Sequence, residues 1–343
     1  MHKSTTSERA LSQDQADRLR RLVAMPSANG VAAQRAVGNG MTNGASSAAP
    51  LVSEMSVGPE GARASVRPVR LARAIAVSSG KGGVGKTNLA VNLAAAFAAQ
   101  GKRVALLDAD LGLANADVLC GLTPRATLED VLTGDATIDE VAVSAPGGFR
   151  LIPGASGVSR LADMGQLQRR SVLEQLVQLE RSVDVLIVDT GAGIGTNSMA
   201  FAAAAHTVLV ATTPEPTAIA DAYGAIKTLV ARGVREGILL VVNMAMNPDE
   251  GKLVHARMDR VCRAFLNVRI AYGGSVPYDQ AVPKAVRRRE PLLIGAPDAP
   301  ASRAIRRVAQ VLAGDESGAR DSANLAEARA GFLARLSAIL SRR

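Results

Sequence analysis

The sequence predicts an α/β protein built on a doubly wound, mostly parallel sheet, and three observations predict it. From residue 71 onward, short unbroken apolar runs alternate with segments of helical period. A glycine-rich loop separates the first such run from the first helix. Several of the later runs end in a carboxylate or an asparagine.

In chain order the expected units are AIAVSS at 74–79, a helix from Thr87 to Gln100, RVALLDAD at 103–110, and a helix around Ser171 to Arg181. Then come VDVLIVDT at 183–190, HTVLVATT at 206–213, a helix from Ala218 to Arg232, GILLVVN at 237–243, a helix around Glu250 to Phe265, and VRIAYGGSVP at 268–277. Strands that are apolar throughout suit a sheet covered by helices on both faces. Such sheets bind ligands outside the carboxyl ends of their strands. The domain spans residues 71–313, and three further segments flank it. Residues 1–25 contain LSQDQADRLRRLVA, where Ser12 and Gln15 fit a capping box and Ala16, Leu19, Leu22 and Val23 share one face. Residues 26–70 have no period and read as a flexible linker, with a typical span of roughly 35 Å. Residues 314–343 carry a second amphipathic helix, with Leu325, Phe332, Leu333, Leu336, Ile339 and Leu340 among Arg329, Arg335, Arg342 and Arg343.

Composition narrows the function. At 343 residues the chain suits two units, or one large α/β domain with appendages. Three Tyr, five Phe and no Trp argue against a single-strand nucleic-acid platform, which stacks bases on aromatic faces. Two isolated cysteines make neither a disulfide framework nor a cysteine zinc site. No stretch is apolar for long enough to span a bilayer, and the start lacks the apolar core of a secretory signal, so a cytoplasmic protein is expected. The net charge is +9, and the stretch from Lys252 to the end holds all of that excess. That region suits a phosphate surface, nucleic acid or anionic bilayer, and equally suits an Arg-rich solvated helix face.

The chemistry sits in Gly80-Lys81-Gly82-Gly83-Val84-Gly85-Lys86-Thr87, which fits G-x-x-x-x-G-K-[ST]. Backbone N–H groups of such a loop cradle phosphates at a helix N-terminus, here with Asn88 in its first turn. Lys86 would reach the β/γ-phosphates and the Thr87 hydroxyl would ligate Mg²⁺. Gly80, Gly82 and Gly85 also satisfy G-x-G-x-x-G, but a dinucleotide turn has no use for Lys86-Thr87. Asp189 ends an apolar strand where it can hold Mg²⁺, and Asp108 and Asp110, two apart, would point the same way. One of that pair could orient an attacking water.

The second lysine, Lys81, makes the loop resemble the deviant Walker A motif of the MinD/ParA ATPases, over about residues 72–312. The resemblance implies that the chain hydrolyses ATP slowly and forms an ATP-bound homodimer, with Lys81 reaching the partner's nucleotide. It also implies that Asp110 serves hydrolysis, Asp189 is the Walker B acid and Asn243 contacts adenine. Asp14-Gln15-Ala16-Asp17-Arg18-Leu19-Arg20, TTPEPTAIADAYGAIK and VPYDQAVPKAVRRREP are similar to the flagellar-number branch of that family, FlhG (FleN or YlxH). That branch implies that Asp14, Gln15, Ala16, Leu19 and Arg20 contact an FlhF-like SRP-type GTPase. It further implies an anionic membrane surface for the tail (Phe332, Leu333, Leu336, Ile339, Leu340) and reversible peripheral attachment inside the cytoplasmic membrane. Flagellar C-ring proteins or a flagellar transcription activator are further expected partners, and no direct nucleic-acid contact is.

Two rivals come from other classes. A ParA-type partition ATPase would use Arg287, Arg288, Arg289, Arg303, Arg306 and Arg307 as a patch for non-specific DNA binding. An iron–sulfur carrier would need paired cysteines at a dimer face. For the tail, the rival is a helix packed back on the ATPase core.

Overall fold

The computed structural model describes residues 71–110, 114–154, 166–314 and 331–340. The segment expected to form a front helix, with Asp14, Gln15, Ala16, Leu19 and Arg20, and the expected linker lie outside these residues.

Eight strands form one sheet: β1 (Arg73–Ser78), β2 (Val104–Ala109), β3 (Val143–Ala145), β4 (Phe149–Ile152), β5 (Val185–Thr190), β6 (Thr207–Thr212), β7 (Ile238–Ala245) and β8 (Ala271–Pro277), in the order β3-β4-β2-β5-β1-β6-β7-β8. All neighbours are parallel except β3 and β4. The sheet is therefore the doubly wound one expected from the sequence, with one antiparallel edge hairpin added. The helices are α1 (Lys86–Ala99), α2 (Ala116–Leu119), α3 (Leu128–Thr133), α4 (Ile138–Val141), α5 (Gln166–Ser182), α6 (Thr196–Ala204), α7 (Pro216–Ala231), α8 (Pro248–Leu266), α9 (Ala281–Arg288), α10 (Leu292–Gly295), α11 (Pro300–Gly314) and α12 (Phe332–Leu340).

Alternate side chains on each central strand feed two cores, one on each side of the sheet. Ala74 and Ala76, Leu186 and Val188, and Val208 and Val210 face one core. Ile75 and Val77, Val185 and Ile187, and Leu209 and Ala211 face the other. This period-2 division explains why the strands read as unbroken apolar runs. Among its helices, α6 is buried nearly all round, from Met199 to Ala204, so its sequence shows no amphipathic period.

The tail helix α12 lies on the first of these cores. Phe332, Leu333 and Leu336 are buried, Ile339 packs against the cluster, and the ring of Phe332 stands 6.4 Å from that of Phe201 on α6. The apolar stripe expected to meet a membrane thus faces the protein in this structure, because α5 and α6 offer it an apolar seat. The side chain of Leu340 lies outside the described residues.

Candidate functional site

Strand β1 runs up the middle of the sheet between β5 and β6 and delivers the loop 79–85 to its carboxyl edge. The loop is held on three sides. Ser79 Oγ donates to the Lys81 carbonyl at 2.9 Å, Gly193 N donates to the Ser79 carbonyl at 2.9 Å, and Asn243 Nδ2 donates to the Val84 carbonyl at 2.8 Å. A Cβ at Gly80 would overlap the Asp221 backbone carbonyl of α7, so only glycine lets the loop pass there. Gly85 sits at φ 85° as the N-cap of α1, and a Cβ there would run into the Asn243 amide. No side chain caps α1, so its first N–H groups, with Asn88 in the first turn, face the loop without a side-chain acceptor. That arrangement suits phosphate oxygens.

Lys86 points inward. Its Nζ lies 3.0 Å from Asp189 Oδ1, with both side chains buried. Burial pushes the Asp189 carboxyl up, while the Lys86 charge and a hydrogen bond from the Thr87 side chain pull it down. The other oxygen, Asp189 Oδ2, is buried with no hydrogen-bond partner. An orphaned carboxylate oxygen beside a threonine hydroxyl fits a divalent cation with oxygen ligands, so Thr87 and Asp189 can hold Mg²⁺ here. Magnesium bound there would neutralise phosphate charge.

Asp108 and Asp110 differ in burial: Asp108 is buried at the end of β2, and Asp110, the first residue after that strand, is half-buried. Asp108 lies beside Asp189 in the ladder and is buried, accepting from the Asp110, Asn115 and Ala116 amides. Burial and then the Asp189 charge push its carboxyl up to about 7, against those three amides. Asp108 therefore ties down the loop that begins at Asp110, and Asp110 is the half-buried carboxylate on the site side. A Cβ placed on Gly191 would lie 3.4 Å from Asp110 Oδ1, so Asp110 and the 190–195 turn meet.

A pH prediction follows for the nucleotide-free protein. A carboxyl whose folded pKa exceeds its unfolded value adds stability that is full below the unfolded value, near 4, and is lost as pH rises through about 7. Melting temperature should fall from pH 5 to pH 8, as at most about 3 kcal/mol of stability is lost over that range. Thermal melts of Asp108→Asn should show a flatter slope over that range. An equal slope would remove Asp108 as the cause.

Lys81 is half-exposed and occupied within its own chain: Nζ stands 3.2 Å from Glu215 Oε2 and 3.3 Å from Thr217 Oγ1, at the start of α7. Residues Glu215 and Thr217 were not singled out individually by sequence reasoning, although both stand in the TTPEPTAIADAYGAIK stretch. Asn243 is buried, and its amide donates to the loop backbone at Val84.

The rival sites fare differently. Cys120 and Cys262 belong to opposite cores, and burial pushes both thiols up to about 12, which keeps them unreactive. Among the described residues no group of His, Cys, Asp and Glu could hold a metal ion as a cluster of three or more. In the basic region, Arg303 donates to the Asp298 carbonyl and Arg306 to the Pro297 carbonyl at 2.6 Å. Arg288 bonds the Gly295 carbonyl at 3.3 Å and stands 3.8 Å from Glu290. Half of the expected DNA patch is thus engaged with its own chain. No helix among the described residues is long and apolar enough to cross a membrane.

Comparison with known proteins agrees with this geometry. The ParA family model, described as NUBPL iron-transfer P-loop NTPase, matches residues 70–313. The chain is 44% identical to the antiactivator FleN of Pseudomonas aeruginosa over 72% of its own length and 87% of that protein's. It is 36% identical to the flagellum site-determining protein YlxH of Helicobacter pylori over 69% of its length and 81% of that protein's. The MinD chain in the MinC:MinD cell division complex of Aquifex aeolicus superposes with a TM-score of 0.57 at 29% identity, over 71% of this chain and 96% of that one. With its phosphate loop, second lysine and strand-end acid in place, the chain belongs to the MinD/ParA family of P-loop ATPases, on the branch that holds FleN and YlxH.

Proposed function

We propose that this chain is an ATP-driven dimerising switch that controls flagellar number and placement. It cycles between cytoplasm and membrane and stimulates an FlhF-type GTPase through its front helix. Similarity to FleN and YlxH supports the flagellar role. One structural observation carries the switch: the tail helix α12 is seated on α6, and α6 begins directly after the 190–195 turn beside the phosphate loop.

The chain's own groups supply the steps. The amides of loop 80–87 and Lys86 hold the phosphates of ATP, and Thr87 and Asp189 hold Mg²⁺. Lys86 leaves Asp189 for the phosphates, so the buried pair opens as the ligand enters. Lys81 leaves Glu215 and Thr217 for the nucleotide of the second copy, which makes dimerisation depend on ATP. Asp110 orients a water toward the terminal phosphate, and the 190–195 turn follows the charge at that position. Movement of that turn pulls α6 from beneath Phe332.

Magnitudes favour a dimer for membrane attachment. Three fully buried apolar side chains hold α12 on the core, worth roughly 1.5–3 kcal/mol each, and insertion of the same stripe into a bilayer returns a similar amount. One tail is therefore near balance, whereas two tails on one dimer bind with a high effective concentration.

The test is flagella per cell, by electron microscopy, in a strain lacking the gene. Extra or misplaced flagella, corrected by the intact gene and not by Lys86→Gln, are expected. Normal flagella with plasmid loss or anucleate cells would instead assign the chain to DNA partition.

A further inference from the structure

The tail helix is held by more than its apolar stripe. Glu180, near the end of α5, is buried, and its carboxylate meets the start of α12. Oε1 accepts from the Phe332 amide at 2.7 Å, and Oε2 accepts from the Leu333 amide at 3.4 Å. These are the N–H groups that a helix leaves without internal partners, and a carboxylate there also meets the positive end of the helix dipole. Gly331 makes the approach feasible, since a Cβ at that position would lie 2.6 Å from Oε1 and 2.8 Å from Oε2. Burial pushes the Glu180 carboxyl up, opposed first by these two amides and then by the Arg181 charge. The backbone carbonyl of the same residue accepts from Ala72 N at 3.1 Å, at the point where the front segment joins the core. Glu180 thus contacts both the residue that leads into β1 and the start of the tail helix.

We propose that Glu180 is the latch of the tail: its carboxylate caps α12 in the seated position and sets how readily the helix leaves. This rests on the reading above that the tail alternates between core and membrane, although the latch itself is a property of the seated state. The apolar contacts alone specify a face. The two charge-assisted bonds specify where along its axis the helix sits, and they are lost together when its first turn lifts. Glu180 touches neither the phosphate loop nor Asp110, so it is a positioning residue, and nucleotide binding should be indifferent to it.

The experiment uses the full chain without nucleotide, as wild type, Glu180→Gln, Glu180→Ala and Gly331→Ala. Amide hydrogen exchange is followed over residues 331–340, together with flotation on vesicles of phosphatidylglycerol and phosphatidylethanolamine. Glu180→Ala is expected to speed exchange in α12 about tenfold or more, with nucleotide affinity unchanged. Glu180→Gln, which keeps an acceptor oxygen, should fall between it and wild type. Gly331→Ala crowds the carboxylate from the tail side and leaves α5 untouched, so it reports on the latch even where Glu180→Ala fails to fold. Vesicle binding without nucleotide should rise in the order of the exchange rates. Wild-type exchange in α12 of both Glu180→Ala and Gly331→Ala would overturn the latch. Faster exchange without vesicle binding by any variant, or by wild type with ATP, would uphold the latch and overturn the membrane reading.

Discussion

A Lys86→Met protein is expected to bind nucleotide roughly 100-fold more weakly than wild type and also to melt at a lower temperature. The first effect is the loss of charge-assisted bonds to phosphate, worth about 2–3 kcal/mol. The second comes from Asp189, which is fully buried and has Lys86 as its ion-pair partner at 3.0 Å. Removing one member of a buried pair costs about 3–5 kcal/mol, which for a domain of this size lowers melting by roughly 10 °C. The two effects separate in a double variant. Lys86→Met with Asp189→Leu should recover most of the melting temperature, since an apolar pair of similar volume replaces the ions, and should recover no nucleotide binding. Calorimetric melts and fluorescent-nucleotide titration check both. A double variant melting as low as the single one would show that the pair is not the source of the instability.

Asp110→Ala is expected to leave nucleotide affinity within about twofold and to cut hydrolysis by about 10²-fold or more, the usual range for a group that handles the proton or orients the water. The structure separates Asp110 from Asp108 on this point. Asp108 is buried and spends its oxygens on three backbone amides, so its loss should disturb the loop and weaken binding. Asp110 lies at the start of that loop, against the 190–195 turn. Phosphate release under single-turnover conditions is the measurement. Asp110→Ala hydrolysing at the wild-type rate would move the role to another residue, and Asp110→Asn near wild type would make it an orienting group rather than a base.

Much of the fold was legible because its signals are local. Strands covered on both faces are apolar at every position, and the runs at 74–79, 183–190 and 206–213 each became a central strand within two residues of the expected bounds. Other elements carry no such signal. Strand β3 has three residues and is partly exposed, so neither its length nor its period marks it. Helix α6 is buried nearly all round, so its run of alanines shows no amphipathic period to mark it. Glu180 sits in LVQLERS, where a glutamate on an amphipathic helix reads as a solvated charge; its two partners lie over 150 residues away.

What the sequence marked by itself is the phosphate loop. Gly80 to Thr87 are contiguous, so the motif is readable locally, while Gly193, Asn243 and Asp189 hold its backbone and Lys86 in place from distant parts of the chain. The strand-end acid Asp189 was legible for the same reason, since an apolar run delivers its last residue to the sheet edge. Only the tertiary structure decided where the ambivalent groups go. An amphipathic stripe is satisfied equally by a bilayer or by a groove on α5 and α6, and a lysine such as Lys81 by any nearby acceptor. Composition sets the energy of burying or pairing such groups. Which surface or acceptor lies within reach depends on how separate segments are brought together in space, and that placed Phe332 on Phe201, Lys81 on Glu215 and Glu180 at the start of the tail.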